Sequence, residues 1–322
     1  MQSLPPQLVS FGEVLIDLVQ RPDGFSWHFG GAPANAAIAS AQLGVRASIV
    51  ASVGSDYFGE FILQQLRVHK VESIAVSMHK QRQTSLAFIF LDKYGSQTGF
   101  LFYRDADLYI SANQVDTIFS PVGQVFCFGS LSLTHAHLKT SLNTILRKYY
   151  GTSSIVLFDL NLRTSLWCNL DKWRCRVNEF LPKASIIKAN ENEAYLLTGY
   201  SDPQRATEAI WCDNNQLIVI TLQEHGCFYK TITNSGYIPS FHVDTQCGDA
   251  VGTGDAFVGA LCAGVINATK RGDDFHDDRV IKQILLRSNA AGAIVATVQG
   301  AIAPSLTAEN IESMLVLNKT IR

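Results

Sequence analysis

Apolar runs of strand length alternate with helix-like stretches along this chain, and that alternation restricts its fold more than any other feature. Residues 8–19 are predicted to form a buried strand, and residues 46–54 a second one. Residues 33–44 and 56–70, which follow these runs, are predicted to be helices. A repeated strand–helix order is typical of a parallel sheet covered by helices.

A break in this alternation predicts a second, smaller sheet. Residues 84–104 contain two strand-like runs around the turn sequence DKYG, and residues 20–30 look extended. Further strands are then predicted at 124–130, 154–161, 185–190 and 217–222, with a β-rich passage at 226–243. The last predicted helices lie at about 254–268, 278–297 and 307–317. The predicted fold class is therefore α/β.

Length and charge narrow the possible functions. A chain of 322 residues suits one large α/β domain. It has 26 Lys and Arg residues against 28 Asp and Glu residues, so its charge favours neither nucleic acid nor an anionic membrane as a partner. It has no uncharged apolar run of membrane-spanning length and no basic leader, so we expect neither a membrane span nor a signal peptide.

The cysteines indicate a reducing environment. They stand at positions 127, 168, 175, 212, 227, 247 and 262 and include no C-x-x-C pair. Their number is odd, and several lie in apolar runs, which fits core residues better than a disulfide or zinc framework. We therefore expect a cytoplasmic location.

A glycine-rich loop before an apolar helix is the clearest chemical signal. In CGDAVGTGDAFVGALCAGV, Asp249 and Asp255 bracket a loop that contains Gly252 and Gly254. Glycines let backbone N–H groups converge, and a helix start carries partial positive charge, so this loop suits an anion such as phosphate. A carboxylate there could accept the proton of a hydroxyl that attacks a phosphate. The alternative is a tight loop in which both aspartates merely cap the helix.

A second cluster carries groups that bind sugar hydroxyls. Gly30 and Gly31 precede a helix with Asn35 in its first turn, and an asparagine amide both donates and accepts hydrogen bonds. Asp17, near the end of the first strand, could accept two vicinal hydroxyls. The alternatives are a turn that packs small residues together and a carboxylate that faces water.

Polar residues also follow other predicted strands. Arg163, in FDLNLRTSLW, offers a fork of donors for phosphate or sugar oxygens. Asn190 and Glu193 share one face of a helical turn. Glu193 could hold a hydrated Mg²⁺ ion, or the pair could simply form a capping box. Ligands of parallel sheets bind at the carboxyl ends of the strands, so the convergence of these clusters predicts an active site.

Two further segments are candidates for contact with a flat ring. Residues 221–226 form a loop at a strand end, and Asn289 lies in a helix of small residues, which could equally be a close helix–helix contact. The chain has no G-x-x-x-x-G-K-[ST] sequence, so it is not a P-loop protein, and its histidines lack metal-site spacing.

Taken in order, these motifs resemble those of the ribokinase-like (PfkB-type) carbohydrate kinases over essentially the whole chain. GGAPANAA near the N-terminus and DAVGTGDAFVGA near the C-terminus carry the resemblance, and GEVLIDLV and FDLNLRTSLW look most like the bacterial fructokinase branch. The resemblance implies a three-layer α/β/α sandwich with a Rossmann-like, mainly parallel sheet. It also implies a single domain over 1–322, with a small β-sheet lid formed by about 18–30 and 84–106.

The resemblance also implies roles for individual residues. Asp255 would be the general base, beside an anion hole formed by the N–H groups of Gly252, Thr253 and Gly254. The residues expected to hold the sugar are Asp17, Gly30, Gly31, Asn35, Arg104 and Arg163. Those expected to contact ATP are Asn190, Thr221, Gln223, Gly226, Gly254 and Asn289. Glu193 would organise Mg²⁺ through water.

This chain departs from the family's pattern at three positions. The usual D-T-x-G-A-G-D here has Thr253 in place of a small alanine, which backbone donation should tolerate. Ala250 removes a hydroxyl, but main-chain carbonyls could still serve a nearby monovalent cation, so the resemblance still allows a K⁺ site near Asp249. Gln223 replaces the first glycine of the usual T-x-G-x-x-G loop, which affects the expected nucleotide contacts but not the reaction class.

The function predicted from these features is ATP-dependent phosphorylation of a sugar, with D-fructose converted to fructose 6-phosphate. Arg104, in FYRDAD, resembles the fructokinase pattern. One alternative is an aminoimidazole riboside or other ribosyl-type kinase. Another is a sugar- or nucleotide-sensing protein without catalysis, against which the intact Asp255, Gly252 and Gly254 argue. The apolar hairpin at 84–104 would suit a homodimer formed through the lid.

Overall fold

The structure, a computed structural model, describes residues 7–91, 97–243 and 251–320. Its strands are β1 Leu8–Phe11, β2 Leu15–Arg21, β3 Gly24–Gly30, β4 Ala47–Gly54, β5 Val71–Glu72, β6 Val76–His79, β7 Leu86–Leu91, β8 Gln97–Tyr103, β9 Val125–Gly129, β10 Ile155–Asp159, β11 Ile186–Asn190, β12 Leu217–Thr221, β13 Cys227–Thr231 and β14 Ser235–Ile238. Its α-helices are α1 Ala32–Gln42, α2 Tyr57–Val68, α3 Ala136–Tyr149, α4 Leu170–Phe180, α5 Glu191–Thr198, α6 Pro203–Ile210, α7 Thr253–Arg271, α8 Asp278–Ala296 and α9 Ala308–Thr320.

A large sheet forms the centre of the molecule. Its strands run in the order β14-β13-β12-β11-β10-β9-β1-β4-β5, and β6 pairs with β4. All of its pairings are parallel except β12 with β13 and β13 with β14. One face packs against α1, α2, α7 and α8, and the other against α3, α4 and α6. Because both faces are covered, the strands are mainly apolar, and the predicted three-layer α/β/α architecture is confirmed.

A second sheet has the strand order β3-β2-β7-β8. β3, β7 and β8 come from the two segments predicted to be extended, with β7 and β8 as the arms of the predicted hairpin. β2 comes instead mainly from the segment predicted to be a strand of the large sheet. β2 lies inside this sheet, antiparallel to β3 and parallel to β7. The division of the chain into one domain with an inserted lid remains a prediction.

The segment 8–19, predicted as one strand, is two strands in different sheets. The break falls at Gly12, whose φ of +143° lies in the region that favours glycine. A Cβ at Gly12 would come within 2.8 Å of Pro33 Cγ, so α1 also leaves no room for a side chain there. The chain thus leaves the large sheet after Phe11 and enters the small sheet at Leu15, and Asp17 belongs to the small sheet.

None of the described helices is both long and apolar enough to cross a membrane.

Candidate active site

The first turn of α7 is positioned by a glycine that no other residue could replace easily. Gly252 caps the helix with φ 77°, and a Cβ there would come within 2.4 Å of Ala301 Cα. The N–H of Ala256 donates to Gly252 O at 2.8 Å, so the helix is formed from its first residues. N–H groups in a first helical turn lack acceptors within the helix and favour an anion there. Asp255 stands in this turn.

Asn35 and Asp255 meet although they are far apart in the sequence. Nδ2 of Asn35 donates to Oδ2 of Asp255 at 2.8 Å. Asn35 is buried in the first turn of α1, and Gly31, with φ 111°, caps that helix. Among the described residues, the buried Oδ1 of Asn35 has no hydrogen-bond partner. Its free acceptor fits a ligand hydroxyl, because a buried polar atom is costly when it is left unpaired.

Asp17 reaches the same region from the small sheet. It stands on β2 opposite His28, two residues along β3 from Gly30. Burial raises the pKa of Asp17 to about 7; the charge of Arg163 acts to lower it, and that of Asp255 raises it further. Asp17 is thus close enough to Arg163 and Asp255 to feel the charge of both, and the sugar-binding roles of Asp17 and Arg163 stay predictions.

The pKa of Asp255 is raised as well. Burial is the largest cause, and it is opposed by the hydrogen bond from Asn35 and by the positive charge of Arg163. A carboxylate with a raised pKa is a stronger proton acceptor near neutral pH. Asp255 lines a small, partly open cleft together with Asp159 and Asn161.

Arg104 is engaged by its own neighbours. Its Nε and Nη2 donate to Oδ2 of Asp107 at 2.8 and 2.5 Å, and its Nη1 donates to Thr134 Oγ1 at 2.7 Å. Asp107 is fully buried and also accepts from Ser85 Oγ at 2.5 Å. These bonds tie the end of β8 to the start of β7 and to the segment before α3. The predicted sugar contact of Arg104 stays a prediction beside this structural role.

Glu13 was not predicted to be a site residue, although it lies near Arg104 and Asp107. Its side chain is buried between β1 and β2. Burial raises the pKa of Glu13 to about 7, which the charge of Arg104 partly offsets and that of Asp107 reinforces. A glutamate inside an apolar strand run is a signal that sequence reasoning could have used, since Glu is rarely buried without a reason.

Asn190 and Glu193 form the capping box at the start of α5. Oδ1 of Asn190 accepts from the N–H of Glu193 at 2.8 Å, and Oε2 of Glu193 accepts from the N–H of Asn190 at 2.9 Å. Oε1 of Glu193 accepts from the N–H of Leu162 at 2.8 Å. The capping interpretation is therefore confirmed, and the Mg²⁺ role remains a prediction.

The carboxylate oxygens of Glu193 suit magnesium only as a hydrated ion. Each carboxylate oxygen of Glu193 already accepts one backbone hydrogen bond and keeps lone pairs for water, and Glu193 is buried. Across 7–91, 97–243 and 251–320, no group of three or more His, Cys, Asp and Glu side chains could hold a metal ion. These residues therefore fit a hydrated Mg²⁺ ion that brings other ligands with it, as Mg²⁺ usually does.

The predicted nucleotide contacts lie at the neighbouring strand end. Thr221 pairs with Asn190 across β11 and β12. Gln223 adopts φ 53°, and its Nε2 donates to Glu191 Oε1 at 2.5 Å. Gly226, with φ 97°, is so close to β14 that a Cβ would lie 2.0 Å from Ile238 O. The glycine at this position is thus required by the turn itself.

Asn289 and Asp249 are two more of the predicted site residues. Nδ2 of Asn289 donates to the carbonyl oxygens of Ile238 and Pro239 at 3.2 and 3.0 Å, so its amide holds the segment after β14. Its contact with a nucleotide remains a prediction. Asp249 lies outside the residues that the structure describes.

Lys188 and Asp159 form a buried ion pair that the site prediction did not include. Nζ of Lys188 lies 3.1 Å from Oδ1 of Asp159, and their side chains are only 6% and 9% exposed. The sequence SIIKAN places this lysine in an otherwise apolar strand. A lysine in such a strand is a usable signal, because Lys is almost never buried unless it is paired.

Comparisons with known proteins agree with this geometry. Residues 5–308 match the pfkB family of carbohydrate kinases. Fructokinase-2 of Zea mays is 34% identical over 308 residues, which cover 92% of this chain and 90% of that protein. A fructokinase of Xylella fastidiosa, solved with bound ATP, is 30% identical with a TM-score of 0.87, covering 98% of this chain and 100% of that one.

A fructokinase double mutant of Vibrio cholerae O395, solved with fructose, ADP and potassium, has a TM-score of 0.86 and 25% identity. The match covers 97% of this chain and 100% of that one. These likenesses extend over both sheets and the site between them. The chain therefore belongs to the pfkB family of carbohydrate kinases.

Proposed function

We propose that this protein transfers the γ-phosphoryl group of ATP to D-fructose and produces fructose 6-phosphate. The observation that carries the proposal is the hydrogen bond between Asn35 and Asp255 beside Asp17. It joins a polar group suited to a sugar hydroxyl to a carboxylate suited to removing the hydroxyl's proton. Fructose is favoured as the acceptor by the names of the similar proteins and by the sequence around Arg104.

The mechanism follows from these groups. The sugar hydroxyl oxygen attacks the γ-phosphorus of ATP, Asp255 accepts the hydroxyl proton, and the bond from the γ-phosphorus to the bridging oxygen breaks to release ADP. N–H groups from Gly252 to Gly254 stabilise the charge that develops on the phosphoryl oxygens. Asp17 and Asn35 hold the acceptor sugar, so that its hydroxyl is already placed for the transfer.

Metal ions complete the proposed site. Glu193 would hold the water shell of a Mg²⁺ ion, and such an ion would supply positive charge to offset that of the phosphates. We also propose stimulation by K⁺, on the strength of the potassium-bound Vibrio fructokinase and the resemblance around Asp249. Turnover measured in KCl and in tetramethylammonium chloride tests this, and equal rates would contradict it.

An ADP-release assay with Mg-ATP tests the substrate. The panel is fructose, ribose, adenosine, aminoimidazole riboside, tagatose 6-phosphate and 2-keto-3-deoxygluconate, with Asp255→Asn as the inactive control. We expect a signal with fructose that is absent from the control, and NMR of the product fixes the phosphorylated carbon.

The other outcomes of this assay identify the alternatives. A preference for the riboside would overturn fructose as the substrate and leave the kinase reaction in place. ATP and sugar binding by calorimetry without any turnover would support the sensing alternative instead.

We further propose that the small sheet is a lid through which two copies of the chain associate. One of its faces carries a cross-strand row of Trp27, Leu18, Phe88 and Leu101. Trp27, at one end of this row, also packs against Phe61 of α2. Trp27 and Leu101 are 40% and 44% exposed, and large exposed apolar residues in one row are typical of an interface. Light scattering should give a dimer for the natural protein and a monomer for Leu101→Glu. A monomeric natural protein would refute the proposal.

A cytoplasmic setting is proposed from the thiols. The cysteines within the described residues are free, and Cys127, Cys227 and Cys262 are buried. Free buried thiols fit a reducing compartment. Localisation of a tagged chain in its native cells tests this.

A further inference from the structure

Lys188 is a buried cation within the site that the mechanism above does not use. It stands on β11 between Asp159 of β10 and Val219 of β12, so its backbone is fixed in the middle of the large sheet. Ile186, two residues earlier and therefore on the same face, packs in the cluster that includes α7. The side chain of Lys188 consequently points to the α7 side, where Asp255 lies.

The ammonium group of Lys188 lies against the anion-binding loop. A Cβ on Gly254 would be 3.4 Å from Nζ of Lys188. The ammonium charge is therefore within van der Waals distance of the loop whose N–H groups would bind the phosphoryl group. The position of the ammonium is fixed by its ion pair with Asp159.

Several carboxylates surround this loop, and a cation is needed there to offset their negative charge. The carboxylates of Asp159, Glu193 and Asp255 all interact electrostatically with Lys188. A phosphoryl group adds further negative charge to this poorly solvated space, where Coulomb interactions are strong. Burial acts to lower the pKa of Lys188, but the carboxylates of Asp159 and Glu193 outweigh it, so the pKa is raised and the lysine stays charged.

We propose that Lys188 supplies the fixed positive charge of the phosphoryl-transfer site. It acts through space on the anion that Gly252, Thr253 and Gly254 hold, and no bond to it is made or broken. This inference rests on the proposed function, because it requires a phosphoryl group at the loop. A fixed charge costs no reorganisation during transfer, so its effect falls on the transition state.

The test uses Lys188→Met and Lys188→Arg, with Lys183→Met as the matched control. Lys183 is 34% exposed and pairs with Glu179, away from the site. Calorimetry measures the Kd of Mg-ADP in the presence of fructose, with and without aluminium fluoride, which mimics the transferred phosphoryl group. In the natural protein we expect aluminium fluoride to tighten binding by about 10²-fold or more.

In Lys188→Met we expect most of that tightening to be lost, kcat to fall by roughly 10²-fold, and the Kd of fructose to change little. Lys188→Arg should keep part of the tightening because its charge remains. A role in folding alone would lower the Tm and weaken both ligands together. Full tightening in Lys188→Met would overturn the proposal.

The double variant Asp159→Asn/Lys188→Met distinguishes neutralisation of Asp159 from stabilisation of the phosphoryl group. If Lys188 only neutralises Asp159, the double variant regains the tightening and the proposal is overturned. We expect it to regain Tm without regaining the tightening. A natural protein that shows no tightening would overturn the proposed kinase function, and the role of Lys188 with it.

Discussion

Gly30 and Asp17 lie on adjacent strands so close together that a Cβ on Gly30 would come within 2.1 Å of Asp17 Oδ2. The φ of Gly30 is not positive, so its backbone conformation does not itself require a glycine. The glycine is therefore required by the carboxylate beside it and not by a turn. Gly30 thus leaves room for the Asp17 carboxylate, and its predicted contact with a sugar stays a prediction.

Gly30→Ala should displace this carboxylate and weaken sugar binding. We expect the Kd of the sugar to rise by about 10-fold or more, the cost of roughly 1.4 kcal/mol in affinity, with the Kd of Mg-ATP nearly unchanged. Isothermal calorimetry with each ligand measures both. Gly99→Ala in the same small sheet is the control, since its Cβ would meet Phe90 only at 3.4 Å. Equal losses in the two variants would show that the carboxylate is not the cause.

Sugar affinity should depend on pH through Asp17. Its pKa is raised to about 7, and the ionised form accepts more hydrogen bonds from hydroxyls. Only about a tenth of such a carboxyl is ionised one unit below its pKa. The sugar Kd should therefore fall by roughly tenfold between pH 6 and pH 8. Glu13→Gln should keep this dependence and Asp17→Asn should lose it; a flat profile in the natural protein would contradict the assignment.

Asp255→Asn should separate binding from turnover. The amide keeps a similar shape beside Asn35 but cannot take the hydroxyl proton, so kcat should fall by about 10²–10⁴, the usual worth of a positioned base. The sugar Kd should remain within about threefold of the natural value. Steady-state ADP release and calorimetry give the two quantities. Near-normal turnover would remove Asp255 from the role of base.

Glu13 should make the protein less stable as the pH rises. Its pKa is about 7 in the folded chain against 4.5 as the ordinary value, so the folded state binds this proton more tightly than the unfolded state. That contribution is complete at low pH and is lost as the pH rises from about 4.5 to 7. Glu13→Gln removes the titration, so its Tm should fall less between pH 5 and pH 8. A few degrees are expected, since about 1 kcal/mol shifts the Tm of a large domain by roughly 2 °C. Identical slopes in the two proteins would contradict this.

Local sequence patterns predicted the layers of this fold well. Most strands and helices of the large sheet were placed correctly because the buried strands are mainly apolar and several helices begin with a capping residue or a proline. The same patterns did not reveal that the first strand splits. At Gly12, where the chain leaves the large sheet, a Cβ would clash with Pro33 of α1, and such a tertiary contact has no local signature.

The candidate site was predictable to the extent that its residues occur in recognisable motifs. Asn35 donates a hydrogen bond to Asp255, and Asp255 acts electrostatically on Asp17, while the roles of these residues stay predictions. Arg104 also forms a buried ion pair with Asp107, which depends on tertiary packing and could not be inferred from spacing. Lys188 was missed because it lies inside a strand, whereas the polar residues used for the prediction stand at strand ends.

The hydrogen bond between Asn35 and Asp255 joins positions separated by 220 residues. Around it, α1 and α7 are in such close contact that a Cβ on Gly259 would lie 2.6 Å from Ala36 O. During synthesis on the ribosome, α1 therefore emerges long before the helix that it packs against. The nascent chain cannot bring Asn35 and Asp255 together until α7, Thr253–Arg271, has been translated, and fragments that stop before α7 should be unable to consume ATP.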